Sequence, residues 1–552
     1  MRKTLACCLA TLVVGSALIG AVGCKPEGSE QKELDTTKTQ LTVGNYSGGV
    51  AGDWLKDVIA NFEAEYADFE FEPGKKGVQL WLDSDKSKYT GSKLKDTIAS
   101  SKDIIFGEFV TLHDFVKESG ATTLDITDVV KGDMSEFGQS YTIESGLSDL
   151  NKKYFSQYDG KYYMVPFFDC FVGLAYDVDL FDSKRLYFKS DNTIGAKYDD
   201  TNRGTGPDGV SGTYDDGLPR TYDEFFQLCA HMKNNSITPM IWTGQHAQAY
   251  STYISAALFA DYEGKDRYSL EYNAGDMSDE DKAAGKNVAE LVTGFDADGR
   301  PQTEEVVITR DNYKDLAKQA GRYYAYEFIE KIVDGDYYST KSFDNSESHL
   351  MAQADFLEST MNREKIAMLI DGTWWPNEAD SVFDDMESIH EKYSRFNRRF
   401  GFLPMPKQSL DKLGKATLVD NNNMVVMIKG NINPSLVLAA KTFLKYTCSN
   451  EVLKKVVKDS GFTTAIHCNF SESEFNELSF YTQYLINMID SSDLVYQRKE
   501  TTSVQWFIAS QNCDFGTATV VTDGKPIHET VSVNAFKFRN VTARAYFEGL
   551  NK

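Results

Sequence analysis

From Leu41 onward short apolar runs alternate with amphipathic ones, and that alternation limits the fold more than any other feature. Leu41 to Val43 reads as a strand leading into Gly44-Asn45-Tyr46-Ser47-Gly48-Gly49. Trp54, Leu55, Val58, Ile59, Phe62 and Tyr66 then recur at the 3.6-residue period of one helix face. Val78 to Leu82 reads as a second strand. Leu94 and Ile98 mark a short helix, and Ile104-Ile105-Phe106 is a strand ending at Gly107-Glu108. Such alternation implies parallel strands with helices on both faces.

The same grammar returns downstream. Thr221-Tyr222-Asp223-Glu224 reads as a capping box opening a helix with Phe225, Phe226, Cys229 and Met232. Ile237 to Ile241 runs into Trp242-Thr243-Gly244, and Ile366 to Ile370 ends in Asp371-Gly372-Thr373-Trp374-Trp375-Pro376. Met424 to Ile428 is a further apolar run, and Asn433-Pro434 starts another helix. Two polar stretches, Asp191 to Gly217 and Asp276 to Arg300, read as surface insertions. Near the end, Thr517 to Val521 followed by Thr522-Asp523-Gly524-Lys525 reads as a hairpin.

The first 23 residues belong to none of this. Arg2 and Lys3 precede an apolar, small-residue run from Leu5 to Val22, the pattern of an export signal. Cys24 follows directly, and the junction resembles a bacterial lipobox in which Cys24 becomes the acylated first residue. Ala21 stands where that pattern usually has Leu. Residues 24–40 are polar and read as a tether. Later on, no apolar run reaches the length of a membrane span.

About 530 residues remain, too many for one compact core. A net charge of −24 argues against nucleic acid, which requires clustered Lys and Arg, and against docking on anionic lipid. Beyond Cys24 the mature chain holds Cys170, Cys229, Cys448, Cys468 and Cys513, an odd number without a CxxC pair, so no disulfide framework is indicated.

Catalytic signatures are missing from the sequence: no GxSxG elbow, P-loop, HExxH or dinucleotide fingerprint occurs. Tryptophan is the stronger signal. Trp242, Trp374 and Trp375 follow apolar strands, at the strand ends where open α/β sheets bind ligands. A sugar ring offers C–H faces to an indole and hydroxyls to carboxylates, so the Asp371-to-Trp375 run suits a carbohydrate. For Trp54 and Trp81 a core role is the expectation; Trp506 stays unplaced. The insertion carrying Asp200, Asn202, Asp208 and Asp216 has a second reading as a calcium loop, against the plainer one of a solvated loop.

Taken together, these segments resemble a family 1 extracellular solute-binding protein, the sugar-capturing lipoprotein of an ABC importer. The resemblance is carried by Lys102-Asp103-Ile104-Ile105-Phe106, Tyr162-Tyr163-Met164-Val165-Pro166, Gly173-Leu174-Ala175-Tyr176-Asp177, Met368 to Trp374, Asn421 to Val426 and Ser460-Gly461-Phe462-Thr463, in that order. It implies a two-lobe periplasmic-binding-protein-like fold of type II with the ligand between the lobes. Lobe one would take 41–168 plus 416–470, and lobe two 172–412 plus 471–552. By motif position Trp374 matches the family's stacking Trp; Tyr46, Glu108, Asp169, Trp242 and Gly461 fall on cleft-lining loops. The resemblance further implies a monomeric, non-enzymatic receptor with no cofactor. It would sit on the outer face of the cytoplasmic membrane of a Gram-positive cell and deliver a mono- or oligosaccharide to permease subunits. The competing readings are a secreted carbohydrate-active enzyme and an adhesion or scaffold lipoprotein.

Overall fold

The structure is a computed structural model that describes residues 32–49, 53–108, 115, 122–156, 159–197, 201–273, 277–309, 311–361, 364–421, 424–496, 521–522, 525–526 and 542–551. The leader, Cys24, Asp200, Trp506 and Cys513 lie outside the described residues.

Along the chain come β1 (Thr39–Asn45), α1 (Asp53–Glu65), β2 (Val78–Ser84), α2 (Gly91–Ser100), β3 (Ile104–Glu108), α3 (Asp149–Phe155) and β4 (Val165–Phe168). Next are β5 (Val172–Asp177), α4 (Tyr222–Asn234), β6 (Ile237–Ile241), α5 (Ala247–Asn273), β7 (Val288–Phe295) and β8 (Pro301–Val307). They are followed by α6 (Ala320–Asp334), α7 (His349–Glu358), β9 (Lys365–Gly372) and β10 (Phe400–Leu403). The last are β11 (Thr417–Asp420), β12 (Met424–Ile428), α8 (Val437–Thr447), α9 (Asn450–Ser460), α10 (Phe480–Asp490), β13 (Asp493–Tyr496) and α11 (Ala543–Leu550).

Two main sheets result. The first has the order β2-β1-β3-β12-β4 and the second β10-β5-β9-β6. β1 runs parallel to β2 and β3, as the alternation implies, but β12 is antiparallel to both β3 and β4. β5 is likewise antiparallel to β9 and β10. These departures from an all-parallel sheet come from the chain crossing between sheets, because a strand that enters from the neighbouring sheet arrives in the opposite direction.

One crossing is the three-residue step Asp169–Phe171 between β4 and β5. The return follows β11, which pairs in parallel with β13. The two crossings touch: Phe171 bridges Asp420, and the Asn421 N–H donates to the Cys170 carbonyl at 3.1 Å. Between them they bring the strand ends of the two sheets to one junction.

Trp54 is core, as its helical period predicts. It stacks on Phe167 with centroids 5.0 Å apart and lies edge-on to Phe106 and Phe168. Trp81 is half-buried in β2, and its indole N–H donates to Gln40 Oε1 at 2.7 Å. Cys170, Cys229, Cys448 and Cys468 are buried.

Several expectations need correcting. The stretch read as a tether through residue 40 is attached to the sheet edge from Glu33 on, where Gln79 of β2 accepts the Asp35 N–H and donates to the Glu33 carbonyl. The capping box of α4 is half formed: Thr221 Oγ accepts the Glu224 N–H, but the Glu224 carboxylate takes the Arg220 N–H instead of that of Thr221. The segment read as a polar excursion from Asp276 holds β7, paired antiparallel with β8. Ala289 and Leu291 of that hairpin join Leu270, Ile308, Leu316 and Ala317 in a small core of their own, while β8 is mostly open to solvent.

Helix α5 went unread. Its 27 residues are broken at Gly264, where φ is 69°. Val521–Thr522 and Lys525–Pro526 pair antiparallel, as the hairpin reading expected. Beyond them α11 docks on α6, with Phe547 edge-on to Tyr323 at 5.4 Å and Glu330 accepting the Ala543 N–H.

Candidate functional site: a cavity at the strand ends of both sheets

Four strand ends converge at the junction. Tyr46 follows β1, Glu108 ends β3, His246 follows β6 and Trp374 follows β9; all four line a cavity of about 270 Å³. Tyr250 and Tyr253, one turn apart on α5, complete an aromatic wall, and Lys86, Cys170, His349 and Glu378 supply further polar groups.

Trp374 owes its position to two glycines. A Cβ on Gly372 would lie 2.0 Å from Cζ3 of the indole, so only glycine lets the ring fold back over β9. Gly49, in the loop after β1, approaches the same indole: a Cβ there would be 3.0 Å from Cδ1, at a φ of +66°. The ring therefore contacts Gly372 of β9 and Gly49 of the loop after β1, with Tyr253 edge-on at 6.0 Å and 86°. It is 8% exposed.

Tyr46 and Glu108 share the cavity lining with it, and Glu108 accepts from the Thr90 hydroxyl. Burial, reinforced by the charges of Glu108 and Glu378, holds the Tyr46 phenol well above its ordinary value, so it stays protonated as a donor. Tyr250 and Tyr253 are pushed up in the same way, first by burial and then by Asp371 among others.

Glu378 is held from behind. Gln353 Nε2 donates to Glu378 Oε2 and to Asp371 Oδ2, at 3.0 Å each. Asp371 Oδ1 also accepts the Gly372 N–H at 2.7 Å. The Asp371 carboxyl is buried, and burial, then the charge of Glu378, raise it well above the usual carboxylate range. Lys86 Nζ stands 3.9 Å from Glu378 Oε1, across the cavity mouth. Burial draws the His349 imidazole below its ordinary value, which keeps it neutral near pH 7.

Of the residues singled out from sequence, Tyr46, Glu108 and Trp374 meet at this cavity, and the others stand elsewhere. Asp371 sits beneath it. Trp375 is fully buried among Phe356, Phe383, Phe400 and Tyr481, and is a core residue. Trp375 starts a one-turn helix, in which neighbouring side chains diverge by about 100°, so one Trp turns to the cavity and the next turns away. Trp242 is packed between Tyr338 and Phe343 at 5.4 Å each and does not reach the cavity.

Gly461 caps α9 at a φ of 66° beneath the Arg395 guanidinium, and its carbonyl accepts from Thr482. That position is one of packing. Asp169 faces the far side of the crossing, where it lines a second hollow of about 1060 Å³ with Tyr154, Lys265 and Tyr496. Successive side chains of an extended segment point to opposite sides. Cys170 therefore faces the Trp374 cavity and Asp169 the larger hollow.

Sequence reasoning missed Tyr250, Tyr253, Lys86, His246, His349 and Glu378. The Tyr250/Tyr253 spacing of three, just after the loop that follows β6, was the available signal.

Of the calcium candidates, Asp200 lies outside the described residues, and the other three make contacts within their own loop. Asp208 Oδ1 accepts the Val210 N–H and Asp216 Oδ2 accepts the Gly212 N–H, each at 2.7 Å, while the Asn202 carbonyl accepts the Ser190 N–H. These oxygens serve the loop's own backbone, and among the described residues no three acidic, His or Cys groups converge to hold a metal ion. Among the described residues no helix is long and apolar enough to cross a membrane.

Residues 71–468 match the sequence profile of the bacterial extracellular solute-binding protein family. The chain belongs to this family. A search of the curated proteins finds no significant match. Among solved structures of solute-binding proteins it is similar to apo RafE from Streptococcus pneumoniae, with 14% identity and a TM-score of 0.51. That match covers 94% of this chain and 100% of the other. RafE in complex with raffinose matches at 14% identity and a TM-score of 0.50, covering 93% and 100%. A cyclic alpha-maltosyl-1,6-maltose binding protein from Arthrobacter globiformis matches at 12% and 0.50, covering 93% and 98%. At such identities the likeness is one of fold, and it agrees with the two-lobe α/β architecture around the junction described above.

Proposed function

We propose that this solute-binding protein is a lipid-anchored receptor that captures a carbohydrate in the Trp374 cavity and delivers it to an ABC permease. The reading rests on one observation: an indole, three tyrosine rings and two carboxylates face a single cavity lined from both sheets. Aromatic faces suit the C–H faces of a sugar ring, and carboxylates accept its hydroxyls. The ligands named for similar structures, raffinose and cyclic alpha-maltosyl-1,6-maltose, agree with that choice.

In this account 41–168 plus 416–470 form one lobe, and 172–412 plus 471–552 the other. Ligand captured between them favours the closed arrangement by differential affinity, and the closed form is what a permease would recognise. No bond is made or broken. Cys24, acylated after removal of residues 1–23, keeps a monomeric receptor beside its permease on the outer face of the membrane. Replacing Cys24 by Ser is expected to move the protein from the membrane fraction to the medium; unchanged membrane retention would refute the anchor.

The test of capture is calorimetric titration of the protein with neutral mono- and oligosaccharides, with the mixture examined afterwards for cleavage products. Saturable binding without products is expected. Release of shortened sugars would instead make this a carbohydrate-active enzyme.

A further inference from the structure

The Trp374 cavity carries information about charge and size beyond the bare assignment to a carbohydrate. Its acidic members are Glu108, at the end of β3, and Glu378, in the one-turn helix that follows β9, with the buried Asp371 carboxyl behind Glu378. The opposing cation is Lys86, which is already turned to Glu378 at 3.9 Å. His246 and His349 are the other basic side chains, and no arginine is among the described lining residues. Carboxylate recognition favours a planar Arg fork. Here an anionic ligand would find no such fork, and would have to desolvate against two like charges.

Size gives the second constraint. About 270 Å³ lies just below the range of roughly 300–1,000 Å³ that encloses drug-sized ligands, and leaves room for about one pyranose ring.

We infer that the ligand is engaged through one uncharged sugar ring, and that Glu108 and Glu378 act as the filter against uronates and other acidic sugars. Gln353 is then a positioning residue: it holds Glu378 at the cavity and is itself fully buried. The inference rests on the carbohydrate reading and is tested separately from it.

The probes are D-glucose, D-galactose and D-mannose, the matching uronates, and raffinose, titrated into the full chain by thermal shift and calorimetry. At least one neutral hexose should bind, with its uronate weaker by about tenfold or more. Glu378→Gln should narrow that gap, chiefly by improving uronate binding, while an unchanged melting temperature shows that the variant is folded. If Glu378→Gln unfolds, Glu108→Gln provides the same comparison from the end of β3. A uronate that binds as well as its neutral partner overturns the filter, and raffinose binding about tenfold tighter than every hexose overturns the single ring. Both of those results leave carbohydrate capture standing. A chain that binds none of the sugars overturns both readings.

Discussion

Trp374 and Trp375 are adjacent and chemically identical, so replacing each by Ala separates binding from packing within one dipeptide. Trp375 is fully buried and touches four aromatic rings between 5.0 and 6.3 Å away. Truncating a core Trp costs about 3–5 kcal/mol from lost transfer energy and the cavity left behind. Trp374 borders a cavity open to solvent and has one aromatic ring partner, Tyr253, among the described residues. Losing that pair costs about 0.5–1.5 kcal/mol, and water can fill the vacated space, so Trp374→Ala should cost about 1–2 kcal/mol in all. For ligand the order reverses. An aromatic anchor at a binding centre is worth about 2 kcal/mol or more, which is about 30-fold in Kd. Urea unfolding measures the first quantity, and sugar titration of the folded variants the second. The reasoning is refuted if Trp374→Ala unfolds as readily as Trp375→Ala, or if it keeps its affinity.

Two further predictions concern stability. Burial pushes the Glu263 carboxyl up to about 7 from its ordinary 4.5, so the folded state holds a proton that the unfolded chain releases first. Stability from this group is therefore full below about pH 4.5 and falls by about 3 kcal/mol as pH rises through 7; urea midpoints should show Glu263→Gln lacking that fall. Lys407 and Asp261 form an ion pair at 2.8 Å with both side chains 3% exposed, and Asp261 also takes the Thr417 N–H at the start of β11. Lys407→Met strands a buried carboxylate and should cost about 3–5 kcal/mol, whereas Lys407→Met with Asp261→Leu should recover part of that loss in thermal melts.

Local periodicity made much of the first sheet legible: β1, α1, β2, α2 and β3 follow the apolar pattern from Leu41 to Glu108. The strand-end rule for tryptophan points to Trp374, whereas Tyr46 and Glu108 are implied only by the resemblance to solute-binding proteins. What local pattern cannot carry is direction. Whether Trp374 or Trp375 faces the cavity depends on one residue of helical rotation, and whether Asp169 or Cys170 does depends on one residue of strand parity. Partners distant in sequence were equally hidden, since Gln353 meets Asp371 and Glu378 only once α7 packs on β9. The β7–β8 hairpin read as a polar excursion because its second strand is largely solvent-facing.

The Trp374 cavity competes for the ligand with the 1060 Å³ hollow and with a cavity of about 510 Å³ lined by Tyr187, Arg203 and Tyr484. A crystal structure of the protein with its best-binding sugar decides between them. The account predicts the ring against the Trp374 indole, with its hydroxyls donating to Glu108 and Glu378. A sugar seated in the 1060 Å³ hollow beside Asp169 and Tyr154 would contradict it.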